Sequence, residues 1–302
     1  MNTRVLKSDA LLLLAATVWG FAFVAQRAGM SHVGPFTFNA VRFALGAAVL
    51  FPIVLARRGS KRERPRAPVT GAARQLLYAG GLAGSVLFAG ASLQQAGLVY
   101  TTASKAGFIT GLYVVIVPLI GLLTRLHPGL GAWIGAAFAA AGLYLLSITG
   151  RFEISPGDGL VLGSALFFAV HVIVIGWLSV RMDAMLLAIT QYSACSALSW
   201  IAAAAFESID VHRILAASLP ILYTGLLSVG LAYTLQVIAQ REAPPAHAAL
   251  ILSLEAVFAA LGGYLFLGES LSSRSLAGCG LMLAGALISK LGSDERTPAA
   301  MA

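Results

Sequence analysis

Ten apolar runs, each about as long as a bilayer's hydrocarbon core is thick, occupy nearly the whole chain. A helix needs about 20 residues to cross that core. Runs of this length are read at 9–27, 35–56, 75–95, 103–123, 130–148, 158–179, 184–205, 216–238, 246–267 and 273–291. The connections are mostly short, and none between spans holds a soluble domain. Only 11% of the 302 residues are charged and 59% are hydrophobic, with a mean hydropathy of +0.87. A water-soluble domain could not cover its surface with so little charge. The expected fold is an all-α membrane protein. Arg4 and Lys7 precede the first run as in a signal peptide, but that run continues through Trp19, Phe21 and Phe23 without a small-residue cleavage site. It reads as a retained helix.

The runs divide into two sets of five, 9–148 and 158–291, flanked by tails at 1–8 and 292–302. Five is odd, so the second set enters the membrane from the opposite side. The sets align over their last two runs: the segment from Ser104 lies against that from His247, and the segment ending at Ser147 against that ending at Ser289. In the first runs, Trp19 falls on Phe167 and Phe23 on His171. Weak internal symmetry of this kind is what inverted repeats leave, and their substrate site lies between the halves. The architecture predicted is ten transmembrane helices, arranged as two inverted five-helix repeats around a central cavity. Glycines four apart (Gly80 and Gly84, Gly107 and Gly111, Gly131 and Gly135) predict close helix packing, within one molecule or across a dimer. Pro118 predicts a kink in the fourth span.

The net charge of +8 is unevenly placed. With the N-terminus inside, fourteen of the twenty Lys and Arg fall on the inner side, four on the outer (Arg27, Arg151, Arg213, Arg274), and Arg42 and Lys105 within spans. This positive-inside bias puts both termini in the cytoplasm. The basic cluster between Arg57 and Arg74 suits contact with anionic headgroups. No basic-aromatic module points to nucleic acid. Cys195 and Cys279 lie inside spans without metal, haem or redox spacing, so no metal and no cofactor is expected.

Three segments carry a resemblance: VWGFAFVAQ at 18–26, PFTFNAVRF at 35–43 and LGESLS at 267–272. With the two five-helix halves, they resemble the EamA-type drug/metabolite transporter superfamily over almost the whole chain. The resemblance implies an inner-membrane carrier of small metabolites, often an exporter of amino acids, as in its YddG-like members. The chain departs from that pattern in having Glu255-Ala256 instead of Glu-Pro, and His127-Pro128 where an acid is common. The first departure removes a proline kink there, and the second leaves Glu269 unmatched. Glu269 reads as structural.

Glu255 is the acid deepest in a span, about 13 Å in at the rise of an α-helix. A charge at that depth is costly unless paired or wet. It reads as a proton-coupling or substrate-amine site, or as a hydrogen-bonded structural acid. Arg42, about 10 Å deep, suits a substrate carboxylate or a structural ion pair. The similar depths allow an Arg42–Glu255 pair. Lys105 meets an anion at the cavity mouth or snorkels to the interface. His171 bonds substrate or a core neighbour. Tyr78, Ser85, Phe88, Ser92 and Gln95 recur at helical spacing and predict one cavity wall. Ser228 and Gln236, with Thr224, predict another. Trp19, Phe23 and Tyr113 add aromatic contact.

The function expected is secondary transport by alternating access, most often export of amino acids or similar amphiphilic solutes. Its partners are a small-molecule substrate and the lipid bilayer, and monomer and homodimer both fit. The alternatives are an intramembrane enzyme and a receptor or scaffold. There is no GxxxxGK[ST], HExxH or GxSxG, and all five aspartates lie at span ends or in loops. The chain therefore reads as a non-enzyme.

Overall fold

The computed structural model describes residues 3–60, 70–123, 128–147, 155–268, 270 and 272–291. The basic residues at 61–69, Arg125, His127, Arg151, Glu269 and the tail from 292 lie outside them. Among the described residues all regular structure is helical. The first half comprises α1 (Thr3–Gly29), α2 (Pro35–Ser60), α3 (Thr70–Leu98), α4 (Ala103–Gly111), α5 (Tyr113–Leu123) and α6 (Leu130–Ser147). The second comprises α7 (Pro156–Ser179), α8 (Ala184–Phe206), the short α9 (Val211–Ala216) and α10 (Ser218–Leu222), a π-helix (Tyr223–Tyr233), α11 (Thr234–Ala239), α12 (Pro245–Leu252), α13 (Glu255–Leu267) and α14 (Ser273–Leu291).

Eight helical units are long and apolar enough to cross a membrane, and the shorter apolar helices Leu130–Leu146 and Ser273–Ser289 accompany them. Large apolar side chains such as Phe51, Leu123, Ile201, Phe206, Leu219 and Phe266 stand exposed on the outside. In water such a surface would aggregate, whereas lipid tails solvate it. Polar side chains instead turn inward: Gln26, Asn39, Arg42, Gln95, His171, Gln191 and Glu255 are all buried.

Contacts between the halves recur when the halves are exchanged. α1 packs on α13 and on the π-helix, while α7 packs on α4 and α5 and on α3. α2 meets the π-helix as α8 meets α3. The pairs α2 with α8, α6 with α14, and α4–α5 with α12–α13 are their own counterparts.

Two spans are interrupted at matching places. The fourth breaks at Leu112, where Leu112 and Val115 N–H donate to the carbonyls of Ile109 and Leu112. The ninth breaks at Ser253–Leu254, where Leu254 and Ala256 do the same to Ile251 and Ser253. These are the tight three-residue bonds of a 3₁₀ turn. The interruption of the fourth span therefore precedes Pro118, which sits inside α5. That of the ninth forms with no proline at all. Both breaks lie where the two spans cross: Gly107 faces Ala259 of α13, and Gly111 faces the Ser253 carbonyl.

Several of the glycines pack against neighbouring helices of the same molecule. Gly80 and Gly84 lie against Thr190 and Ala194 of α8. A Cβ on Gly142 of α6 would come 2.5 Å from the Gly278 carbonyl oxygen of α14, and one on Gly278 would come 2.5 Å from that of Gly142. Backbone cannot retreat from such a contact as a flexible side chain can. Gly142→Ala and Gly278→Ala should each destabilise the fold by about 1–3 kcal/mol. Gly280, which has open space around it, should accept alanine within about 0.5 kcal/mol. Thermal unfolding in detergent measures the difference.

Candidate functional site

A cavity of about 40 Å³ lies where the two halves meet. α1 contributes Trp19, Phe23 and Gln26, three side chains on one helical face. Arg42 enters from α2, Gln94 from α3, and Phe168 and His171 from α7. The broken spans supply Thr110, Tyr113, Leu252 and Glu255, so both interruptions open onto the same space. The eighth span adds Ser228, Tyr233 and Gln236. Its π-helical winding explains why Ser228 and Tyr233, five residues apart, come to nearly the same face. Trp19 is fixed there by its ring N–H, which donates to the Ser228 carbonyl at 3.1 Å, and by Tyr233, whose ring centroid lies 4.5 Å away.

Arg42 is 2% exposed. Its Nε donates to Asn39 Oδ1 and one Nη to Gln26 Oε1, both at 2.9 Å. Its guanidinium also lies over the rings of Phe38 and Phe43, 5.5 and 5.0 Å from their centroids. Every one of these partners is neutral. Among the described residues no carboxylate comes within ion-pairing distance of Arg42. The expected Arg42–Glu255 pair is therefore not made: amide oxygens take the guanidinium, and Tyr233 lies close to both charged groups. A guanidinium has five N–H donors, so two bonds hold the fork in place and leave donors for a ligand.

Glu255 is the first residue of α13, directly after the break in the ninth span. It is 4% exposed. Its Oε1, the Tyr113 hydroxyl and Gln236 Oε1 are buried without a well-formed hydrogen bond among the described residues, although the Tyr113 hydroxyl and the Glu255 carboxyl lie close to each other. Buried polar atoms of this kind are rare in a finished core, and these three line one cavity. His171 Nε2 is bonded to Gln191 Oε1 at 2.9 Å, and its ring meets Tyr233 edge-on. Gln236 donates to Gln240, which donates to the Val172 carbonyl, each at 2.8 Å. Gln94 donates to Thr110 Oγ1 at 3.1 Å.

Trp19, Phe23, Arg42, Tyr113, His171, Ser228, Gln236 and Glu255 thus converge. The predicted wall on the third span does not. Tyr78 and Ser85 are exposed on the outside, with Tyr78 accepting from Arg74. Phe88 packs on Phe36. Ser92 is buried away from the cavity lining, and Gln95 donates to the Gln26 carbonyl at 3.3 Å, acting behind the wall. The reason is packing: Gly80, Ala83, Gly84 and Leu87 are the buried face of α3, which turns the expected stripe aside and leaves Gln94 as its contact with the cavity. Lys105 pairs with Asp158 outside the cavity. Thr224 spends its hydroxyl on the Pro220 carbonyl.

Gln26, Gln94, Thr110, Phe168 and Tyr233 are additional lining residues. Gln26 was readable, being three residues beyond Phe23 and seven beyond Trp19 on one face. Tyr233 was not, because an α-helical period places it off that face.

The profile of the EamA-like transporter family matches the chain twice, over residues 6–148 and 155–291. An "Uncharacterized transporter" of Archaeoglobus fulgidus is 32% identical over 294 residues, 96% of this chain and 88% of that one. A solved crystal structure superposes with a TM-score of 0.71, covering 96% of this chain and 99% of the other at 19% identity, a likeness of fold. With two matches spanning nearly every residue, the chain is a multi-span membrane protein and belongs to the EamA-like transporter family.

Proposed function

We propose that this protein carries small zwitterionic or amphiphilic solutes, amino acids foremost, across the inner membrane by alternating access. The observation that carries the reading is the composition of the cavity: a fixed guanidinium with neutral partners and a buried carboxyl face one space lined by aromatic and uncharged polar side chains. A substrate carboxylate suits Arg42, and a substrate ammonium suits Glu255. Trp19, Phe23, Tyr113 and Tyr233 offer rings to its side chain. Two inverted repeats, 9–148 and 158–291, would rock about this site, a motion supported by the exchange symmetry of their contacts and by the paired broken helices. The charge bias supports cytoplasmic termini, and export is the direction the family resemblance favours.

Flux in liposomes tests this. Purified protein should give saturable flux of amino acids, with a steep preference over the matching amines and acids that lack one charge. Equal flux of all three, or flux confined to polyanions, would overturn the reading.

A further inference from the structure

Outside the cavity, two side-chain pairs, each with one carboxylate, join the halves at its opposite ends. Lys105 Nζ pairs with the Asp158 carboxylate. His247 Nε2 meets Asp9 Oδ1 at 2.9 Å. Lys105 is the third residue of α4 and His247 the third of α12. They are 142 residues apart, as are Tyr113 and Glu255. Their partners stand near the starts of α7 and α1, the first helices of the opposite halves. Each pair therefore ties the entry of a broken helix in one half to the first helix of the other.

Both pairs are held in place. Asp158 accepts from Thr101 Oγ1 at 3.0 Å and from the Ser155 N–H at 2.8 Å, and its side chain is 9% exposed. His247 Nδ1 meets Ser289 Oγ at 3.3 Å, which adds α14 to the tie, and its side chain is 6% exposed. Beside it the Ser8 hydroxyl donates to the Ala239 carbonyl at 2.9 Å. Lys105 and His247 each precede their helix's cavity residue, Tyr113 or Glu255, by eight positions, about 12 Å of helix. The pairs thus flank the cavity: Asp9–His247 at the end that carries the N-terminus, Lys105–Asp158 at the other.

We propose that these pairs are the two latches of the carrier, each holding one mouth of the cavity shut and breaking when that mouth opens. This rests on the carrier reading above. The exchange of halves that relates the two mouths also relates the latches, so opening one end leaves the other tied. The two are not chemically identical. The ammonium–carboxylate pair is an ion pair throughout, whereas the imidazole–carboxylate pair is an ion pair or a neutral-donor hydrogen bond according to protonation, and it holds in either state.

Thiol labelling from each face tests this. A reporter, Ser228→Cys in a Cys195→Ala/Cys279→Ala background, is probed with a membrane-impermeant maleimide in spheroplasts and in inside-out vesicles. Asp158→Asn should raise the labelling rate about tenfold from the face opposite the N-terminus and lower it from the other. A tenfold population shift corresponds to 1.4 kcal/mol. Asp9→Asn should do the reverse. The charge-reversed Lys105→Asp/Asp158→Lys should return the parental rates, which also decides the matter if Asp158→Asn folds poorly. Parental rates from both faces in folded single variants, or an equal rise from both, would overturn the latches. Solute flux separates the two readings. Flux with unchanged labelling defeats the latches and leaves the carrier, while one-sided labelling shifts without flux of any solute defeat the carrier.

Discussion

Arg42→Ala should reduce the flux of an amino acid by about 30-fold or more, and Arg42→Lys should restore only part of it. Truncating one partner of a buried, hydrogen-bonded charge pair costs about 2–5 kcal/mol, and each 1.4 kcal/mol is tenfold. Arg42 fits that case because it is buried, its fork is oriented by Asn39 and Gln26, and its described partners are uncharged. In the proposed reading a substrate carboxylate is the anion that completes its surroundings. Lysine brings the charge without the planar fork, and it cannot satisfy both amide oxygens in the same geometry. The variant also strips those oxygens of their donor, which lowers stability, so the amount of flux alone does not isolate recognition. The discriminating readout is the ratio between an amino acid and its decarboxylated amine. Loss of a carboxylate contact narrows that ratio, whereas partial unfolding lowers both fluxes alike. An unchanged ratio in folded Arg42→Ala would remove Arg42 from substrate binding.

Glu255→Gln should abolish accumulation driven by a pH gradient while leaving exchange down a concentration gradient. The substitution keeps the size and one acceptor of the side chain but removes the site that takes and releases a proton. Glu255 sits at the break of the ninth span and lines the cavity, so in the proposed cycle substrate and proton compete for one group. In that cycle the competition couples their movements. With potassium and valinomycin clamping the potential at zero, a one-for-one exchange accumulates substrate about tenfold per pH unit, since a pH unit is worth about 1.4 kcal/mol. The variant should accumulate none. Gradient-driven accumulation that survives in Glu255→Gln would assign coupling elsewhere and leave Glu255 as a substrate or structural group.

Much of this arrangement is visible in the chain before folding. The length and spacing of the apolar runs reflect the bilayer's thickness, a constraint local to each segment. The isolated charges within them, Arg42 and Glu255, are conspicuous because charge at that depth is costly. The aromatic face of the first span shows at helical spacing, with Trp19 and Phe23 one turn apart. Spacing fails on the third span, where five residues form a regular stripe that does not line the cavity. Periodicity says which side chains share a face, but not what that face meets, and the glycines of α3 give the α8 contact to a different one.

The sequence by itself determined the membrane class, the doubling and the two costly charges, because each follows from transfer energies and helical geometry acting within a segment. Only the tertiary structure decided which faces turn inward, that Arg42 is held by Asn39 and Gln26 and not by Glu255, and that the fourth and ninth spans break where they cross. It alone wound the eighth span as a π-helix that brings Tyr233 to the cavity, and set Lys105 on Asp158 and His247 on Asp9. Those outcomes depend on contacts between residues distant in the chain, where one helix's small residues set how near another may come, and no local pattern encodes that distance.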